Sequence, residues 1–226
     1  MLTRALTFYL VTRLTGSPIA ALAVLIGLYL AFDYQVTGFL RRGLATVRRG
    51  GEITELKRVV ALNPHNAAAL SDLGRLLVIG NKAREASDYL QRAYVRLSDT
   101  AETTYYLGLA QLRCGQAAEG EALILKALQI NPRFRYGEPV LRLAEYYAAT
   151  GRSDAAGNFF ERFFSIHASS VEGHYKCGLF QMRVGDASRA KTHFQKAVAV
   201  FDLSPAFKKR EERLWAYKAR YRLWTI

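Results

Sequence analysis

The 226-residue sequence holds only two cysteines, Cys114 and Cys177, far apart and without CxxC or other ligand spacing. Neither a disulfide framework nor a cysteine-held metal is expected, and the pair fits reduced, partly enclosed helix positions. The four histidines, His65, His167, His174 and His193, form no HExxH or comparable ligand pattern. No stretch reads as a strand, so no glycine-rich loop has the scaffold that nucleotide binding needs. Acidic residues lie scattered over solvent positions of helices rather than in pairs suited to acid–base work. Prolines are few and there is no low-complexity tract, so the chain should be ordered. Together these absences argue against an enzyme and point to no cofactor and no metal.

The net charge is +13, and its distribution is uneven. Lys and Arg outnumber Asp and Glu by 8 to 3 in residues 1–60, by 17 to 14 in 61–204, and by 7 to 2 in 205–226. A nearly balanced body between basic ends is unlike a nucleic-acid-binding domain, whose basic residues spread over the domain itself. Nucleic acid is therefore not expected. Basic ends suit an anionic lipid surface, or serve only as a solubilising charge excess.

From Leu14 to Phe32 no residue is charged. A membrane span needs about 20 apolar residues to cross a core about 30 Å thick, and 14–36 is read as such a helix, with Pro18 in its first turn. Tyr29, Phe32 and Tyr34 would form an interfacial aromatic belt. Residues 1–13 make a short N-terminal segment that could lie along the interface. Arg4 and Arg13 precede the span, and Arg41, Arg42, Arg48, Arg49, Lys57 and Arg58 follow it. That asymmetry places the C-terminal body in the cytoplasm, with Arg41, Arg42, Arg48 and Arg49 at the membrane surface. The expectation is a single-pass protein of the inner (cytoplasmic) membrane; the reversed, periplasmic topology stays open.

Past residue 66 a skeleton returns about every 34 residues. Leu73-Gly74 is followed by Ala86, Leu90 and Ala93; Leu107-Gly108 by Gly115, Gly120, Ile124 and Ala127. Leu143-Ala144 is followed by Gly151, Ala156, Phe160 and Phe163; Cys177-Gly178 by Gly185, Ala190, Phe194 and Ala197. The endings Leu62-Asn63-Pro64 and Ile130-Asn131-Pro132 stand two periods apart. This pattern resembles the tetratricopeptide-repeat (TPR) family. The resemblance implies an all-α, right-handed helical solenoid in which small residues let paired helices approach and bulky ones fill the gaps. The expected organisation is a basic juxtamembrane segment with a degenerate first repeat over 37–66, four repeats over 67–204, and a basic, aromatic helix over 205–226. That last helix reads as the solenoid's cap, or as a surface for a partner or lipid. Phe163, where a small residue is usual, and the extra residues around Tyr136-Gly-Glu-Pro139 mark an irregularity between the second and third repeats.

In this family the concave groove is lined by the first helix of each repeat. Carried over, it comprises Asp72, Arg75, Val78 and Ile79, then Tyr105, Tyr106, Leu109, Leu112 and Arg113, then Arg142 and Glu145, and finally Tyr175, Lys176, Leu179, Met182 and Arg183. No asparagine stands among them to clamp a terminal carboxylate, as the family's chaperone-tail binders do. Arg75, Arg113, Arg142 and Arg183 would form a basic stripe inviting an acidic, extended peptide. As exposed residues they would contribute roughly 0.5 kcal/mol or less to folding. The function implied is a membrane-anchored scaffold or assembly factor that binds partner proteins. Its alternatives are a periplasm-facing chaperone and an RNA-binding adaptor using the basic ends.

Overall fold

A computed structural model describes residues 9, 11–13, 16–32 and 39–226, and among these the regular structure is entirely helical. Contacts divide the chain into residues 1–47 and 48–226. The first unit contains α1 (Pro18–Phe32), and α2 (Phe39–Leu62) begins in it. α1 has 15 residues, about 22 Å at the helical rise of 1.5 Å per residue, too short for a hydrocarbon core about 30 Å thick. No described helix is long and apolar enough to cross a membrane. This overturns the expected span over 14–36, and with it the single-pass inner-membrane location. Tyr34 and the side chains of Tyr29, Phe32, Arg41 and Arg42 lie outside the described residues. Arg48 and Arg49 sit on α2, where Arg48 pairs with Glu52 one turn on, at 3.2 Å.

The second unit stacks the rest of α2, four helix pairs and one further helix, with Val60 of α2 buried in its core. The pairs are α3 (Ala67–Ile79) with α4 (Ala83–Leu97), α5 (Ala101–Arg113) with α6 (Ala117–Ile130), α7 (Glu138–Ala149) with α8 (Ser153–Ile166), and α9 (Val171–Arg183) with α10 (Ala187–Leu203). α11 (Ala206–Thr225) packs on α9 and α10. Polar caps start several helices: Asn66 accepts from Ala69 N–H at 3.1 Å, Ser170 from Gly173 N–H at 3.0 Å, and Asp186 from Arg189 N–H at 2.8 Å. Each satisfies a donor that the helix itself leaves open.

Leu73, Leu90, Ile124, Leu143, Phe194 and the alanines at 86, 93, 127, 156, 190 and 197 are fully enclosed. These are the repeating positions of the sequence, so the period is the period of burial. Between α5 and α6 the backbones nearly touch, since a Cβ on Gly108 would come within 2.8 Å of the Gly120 carbonyl. The irregular Phe163 is fitted by a change elsewhere. Its ring occupies the space of a missing side chain at Gly173, where a Cβ would lie 2.3 Å from Cε1. A large residue on the second helix of one pair is thus matched by a glycine on the first helix of the next.

The expected irregularity between the second and third pairs is a short 3-10 turn, Phe134–Gly137. Arg135 (φ 47°), Tyr136 (φ 55°) and Gly137 (φ 82°) are all left-handed. Two of them carry side chains, at about 1–2 kcal/mol each. Tyr136 is left 78% exposed.

Candidate functional site

The first helices α3, α5, α7 and α9 form one row, and the side chains assigned to a groove divide there into three groups. Val78, Tyr105, Tyr106, Leu109 and Tyr175 are buried. Tyr105 is fully enclosed, edge-on to Phe134 and donating its hydroxyl to Glu138 Oε1 at 3.1 Å. Burial and the adjacent Glu138 carboxylate raise its pKa well above the usual phenol value. Tyr106 stacks at a tilt beside it, 5.1 Å between centroids, and Tyr175 lies between Phe194 and Trp215. These tyrosines serve the interior, because each repeat turns that helix edge toward its neighbour. Ile79 and Met182 are exposed, and Leu112 and Leu179 are half-buried.

The second group is ionic. Arg142 lies 2.7 Å from Glu145, 3.2 Å from Glu172 and 3.7 Å from Glu138. Lys176 Nζ sits 2.5 Å from Glu145 and 2.6 Å from Glu172, and its side chain is only 9% exposed. Arg135 approaches Glu138 at 2.5 Å. Three cations and three carboxylates thus form one balanced network. Burial alone would lower the Arg142 pKa, but Glu145 and Glu172 outweigh it and raise it. Burial would likewise raise Glu172, yet Lys176 and Arg142 bring it below the ordinary carboxylate value. One level up, Arg75 pairs with Asp72 at 3.2 Å and Glu102 at 3.5 Å.

Arg113 and Arg183 form the third group, and they do something the sequence did not suggest. Arg113 donates to the carbonyl of Val78, and Arg183 donates to that of Ala148 at 2.8 Å, each 35 residues back. Both acceptors lie in the last turn of the preceding first helix, where the dipole favours a cation; Val78 O also accepts from the Asn81 N–H at 3.1 Å. The expected basic stripe is therefore broken up, with carboxylates balancing Arg75 and Arg142 while Arg113 and Arg183 are held to the backbone.

Two hollows open along this row. One, of about 340 Å³, is lined by Arg135, Tyr136, Glu138, Arg142, His167 and Glu172, with Glu212 of α11 at its edge. The other, of about 290 Å³, lies between Glu145, Ala149, Lys176, Leu179, Phe180 and Arg183. The network of Arg142, Glu145, Glu172 and Lys176 contributes to both. Glu212 Oε1 accepts from the Val171 N–H at 3.3 Å, capping α9, and burial raises its pKa. Tyr136, Glu138, Glu172 and Glu212 were not assigned to a groove from the sequence. Glu172 could have been found from its place four residues before Lys176, one helical turn away.

A separate cluster joins α8, α9 and α10. His174 Nδ1 lies 3.3 Å from His193 Nδ1, His193 Nε2 lies 3.5 Å from Cys177 Sγ, and His174 Nε2 contacts the Ala168 carbonyl at 3.0 Å. Phe164 stacks on His174 with centroids 4.4 Å apart. Burial, reinforced by His193, pushes His174 down to about 4; burial pushes the Cys177 thiol up to about 12. These are the values of enclosed neutral groups. Beside them is a cavity of about 590 Å³ bordered by Asp154, Asn158, Glu161, Gln181 and Arg189. Among the described residues no group of three or more His, Cys, Asp or Glu side chains is placed to hold a metal ion.

This architecture, helix pairs stacked through small and bulky core residues with a row of first helices left open, defines a TPR-like solenoid. Solved structures of the same build include a crystal structure of MamA, with a TM-score of 0.59 and 23% identity, covering 75% of this chain and 96% of that one. TTC0263, a thermophilic TPR protein in Thermus thermophilus, superposes with a TM-score of 0.60 at 19% identity, over 78% of this chain and 93% of its own. YrrB, described as a TPR protein with an unusual peptide-binding site, gives 0.50 at 17% identity, over 73% and 90%. No family model matches the sequence, and no curated protein matches it. At such identities the likeness establishes the fold.

Proposed function

We propose that this chain is a protein-binding scaffold that holds an extended segment of its partner across α7 and α9. The observation that carries the reading is the pair of hollows on the first-helix row, about 340 and 290 Å³, bordered by a shared ionic network. An extended strand turns alternate side chains to one face, so neighbouring hollows suit two side chains of one segment. The network offers donors from Arg142 and Lys176 and acceptors from Glu145 and Glu172 for the segment's backbone. Its balanced charge favours no acidic ligand, which replaces the preference expected from the arginines alone. Exposed Tyr136 adds a rigid aromatic edge at small entropic cost. YrrB's peptide-binding site belongs to a neighbour of the same fold, and it supports a peptide as the kind of ligand to test.

The test is selection of peptides from a displayed library on the purified chain, followed by affinity measurements on two variants. Ala149→Trp fills the second hollow from an exposed position, and Tyr136→Ala removes the rim of the first. Each should weaken the selected peptides by about tenfold or more, the effect of losing a central contact. Peptides that bind both variants unchanged would move the site off this row.

A further inference from the structure

The last helix carries a face that the solenoid does not use. α11 buries Ala216 and Ala219 against α9 and α10, with Trp215 and Leu223 partly buried beside them. On the opposite side stand Phe207, Arg210, half-buried Leu214, Tyr217, Tyr221 and Trp224, at successive intervals of three, four, three, four and three residues. That spacing is the seam of one helix packed on another, with a 3.5-residue average repeat, apolar at every position but Arg210. Phe207 is 73% exposed, Tyr221 60% and Trp224 83%. A helix closing a solenoid ordinarily turns a polar face outward; this one turns out aromatic rings.

The flanks of the stripe are basic. Lys209, Arg213 and Arg220 lie along one side, and Lys218 and Arg222 along the other, where Glu211 is the single acidic residue. Some are occupied within the chain: Arg220 pairs with Asp202 at 2.7 Å, and Lys218 lies over the Trp215 ring at 4.5 Å. Among the described residues Arg213 and Arg222 have no ion pair. We propose that this face of α11 is a docking surface for an acidic amphipathic helix of a partner protein. The heptad spacing selects a helix as the occupant, and the flanks select its charge. A second copy of the same helix is disfavoured, because residues 205–226 hold seven basic and two acidic residues, and pairing would set basic flank against basic flank.

The experiment titrates the full chain with a synthetic 21-residue probe helix carrying leucine at seam positions and glutamate at the flanks. The control probe has lysine in place of glutamate. The readout is Trp224 emission, taken as the difference between the natural chain and Trp224→Phe. The glutamate probe should move that emission to shorter wavelength, and Tyr221→Glu should weaken it by about tenfold, the loss of one central aromatic contact. Salt should weaken it further by screening. Ala149→Trp should leave it unchanged, which separates this surface from the first-helix row. Circular dichroism should show Trp224→Phe, Tyr221→Glu and Ala149→Trp as helical as the natural chain. No emission change with the glutamate probe, or equal binding of the lysine probe, would overturn the proposal. So would a dimer in sedimentation that Trp224→Glu dissolves, which would make a second copy the occupant.

Discussion

Replacing Arg113 and Arg183 together by methionine should destabilise the solenoid measurably, although both side chains look like surface residues. Methionine keeps an unbranched apolar stem and removes the donor. Each arginine supplies one charge-assisted hydrogen bond to a last-turn carbonyl, Val78 O or Ala148 O, the second at 2.8 Å. Such a bond in a buried setting contributes about 1.5–3 kcal/mol, but both arginines are exposed, so solvent screening reduces it. A cation at a helix C-terminus adds about 0.3–1 kcal/mol. About 1 kcal/mol per arginine remains, so roughly 2 kcal/mol for the pair, assuming separated sites add. For a domain of 150–250 residues that lowers Tm by about 4–8 °C. The assay is thermal unfolding followed by circular dichroism, with the Arg→Lys pair as a control that restores charge without the guanidinium fork. Lysine should recover about half the loss. A methionine double variant melting within about 1 °C of the natural chain would refute the reasoning, since water would then be serving those carbonyls equally well.

Gly173→Ala should cost about 1–3 kcal/mol through overpacking, because its Cβ would meet the Phe163 ring at 2.3 Å; denaturant titration measures it, and Phe163→Leu added to it should recover part of the loss. Lys176→Met should lower Tm, because Glu145 and Glu172 would keep only Arg142 as a shared cation, and an unchanged melt would show that the network is hydrated. Stability should fall as pH drops from about 6.5 toward 4: His174 is held at about 4 in the fold, so below the unfolded value the unfolded chain binds a proton that the native one refuses. His193 and His167, both lowered by burial, act in the same direction, while Glu212, raised by burial, acts against it. His174→Gln should flatten that slope in urea midpoints recorded across the range, and a natural chain with no slope there would contradict the enclosed neutral imidazole.

The repeat was legible because one periodic signal encodes both helix pairing and burial. Leu90, Ile124, Phe160 and Phe194 recur in sequence for the same reason that they sit buried in the core. Phe163 was legible as an anomaly but not as a solution, since its compensating Gly173 lies in the next pair and has no local signature. The groove was read less well for a related reason. A first-helix position fixes which row a residue joins, but not whether the neighbouring repeat covers it, and so Tyr105 and Tyr175 went inward. Arg113 and Arg183 look identical to ligand-binding arginines until the carbonyls one repeat back are seen. The N-terminal apolar stretch failed as a span on length, because composition does not fix helix length, and among the described residues no helix is long and apolar enough to cross a membrane.

The arginine ties have an uneven distribution along the stack. One joins the first pair to the second and another joins the third to the fourth. The corresponding position in α7 is Ala149, so no such arginine tie crosses from the second pair to the third, where the three left-handed residues Arg135, Tyr136 and Gly137 stand instead. In mechanical terms the junctions of residues 67–203 are fastened by unlike links: a guanidinium on a helix end at the first and third, and at the second two carboxylates, Glu138 held by Tyr105 and Glu121 held by Tyr147 and Arg152.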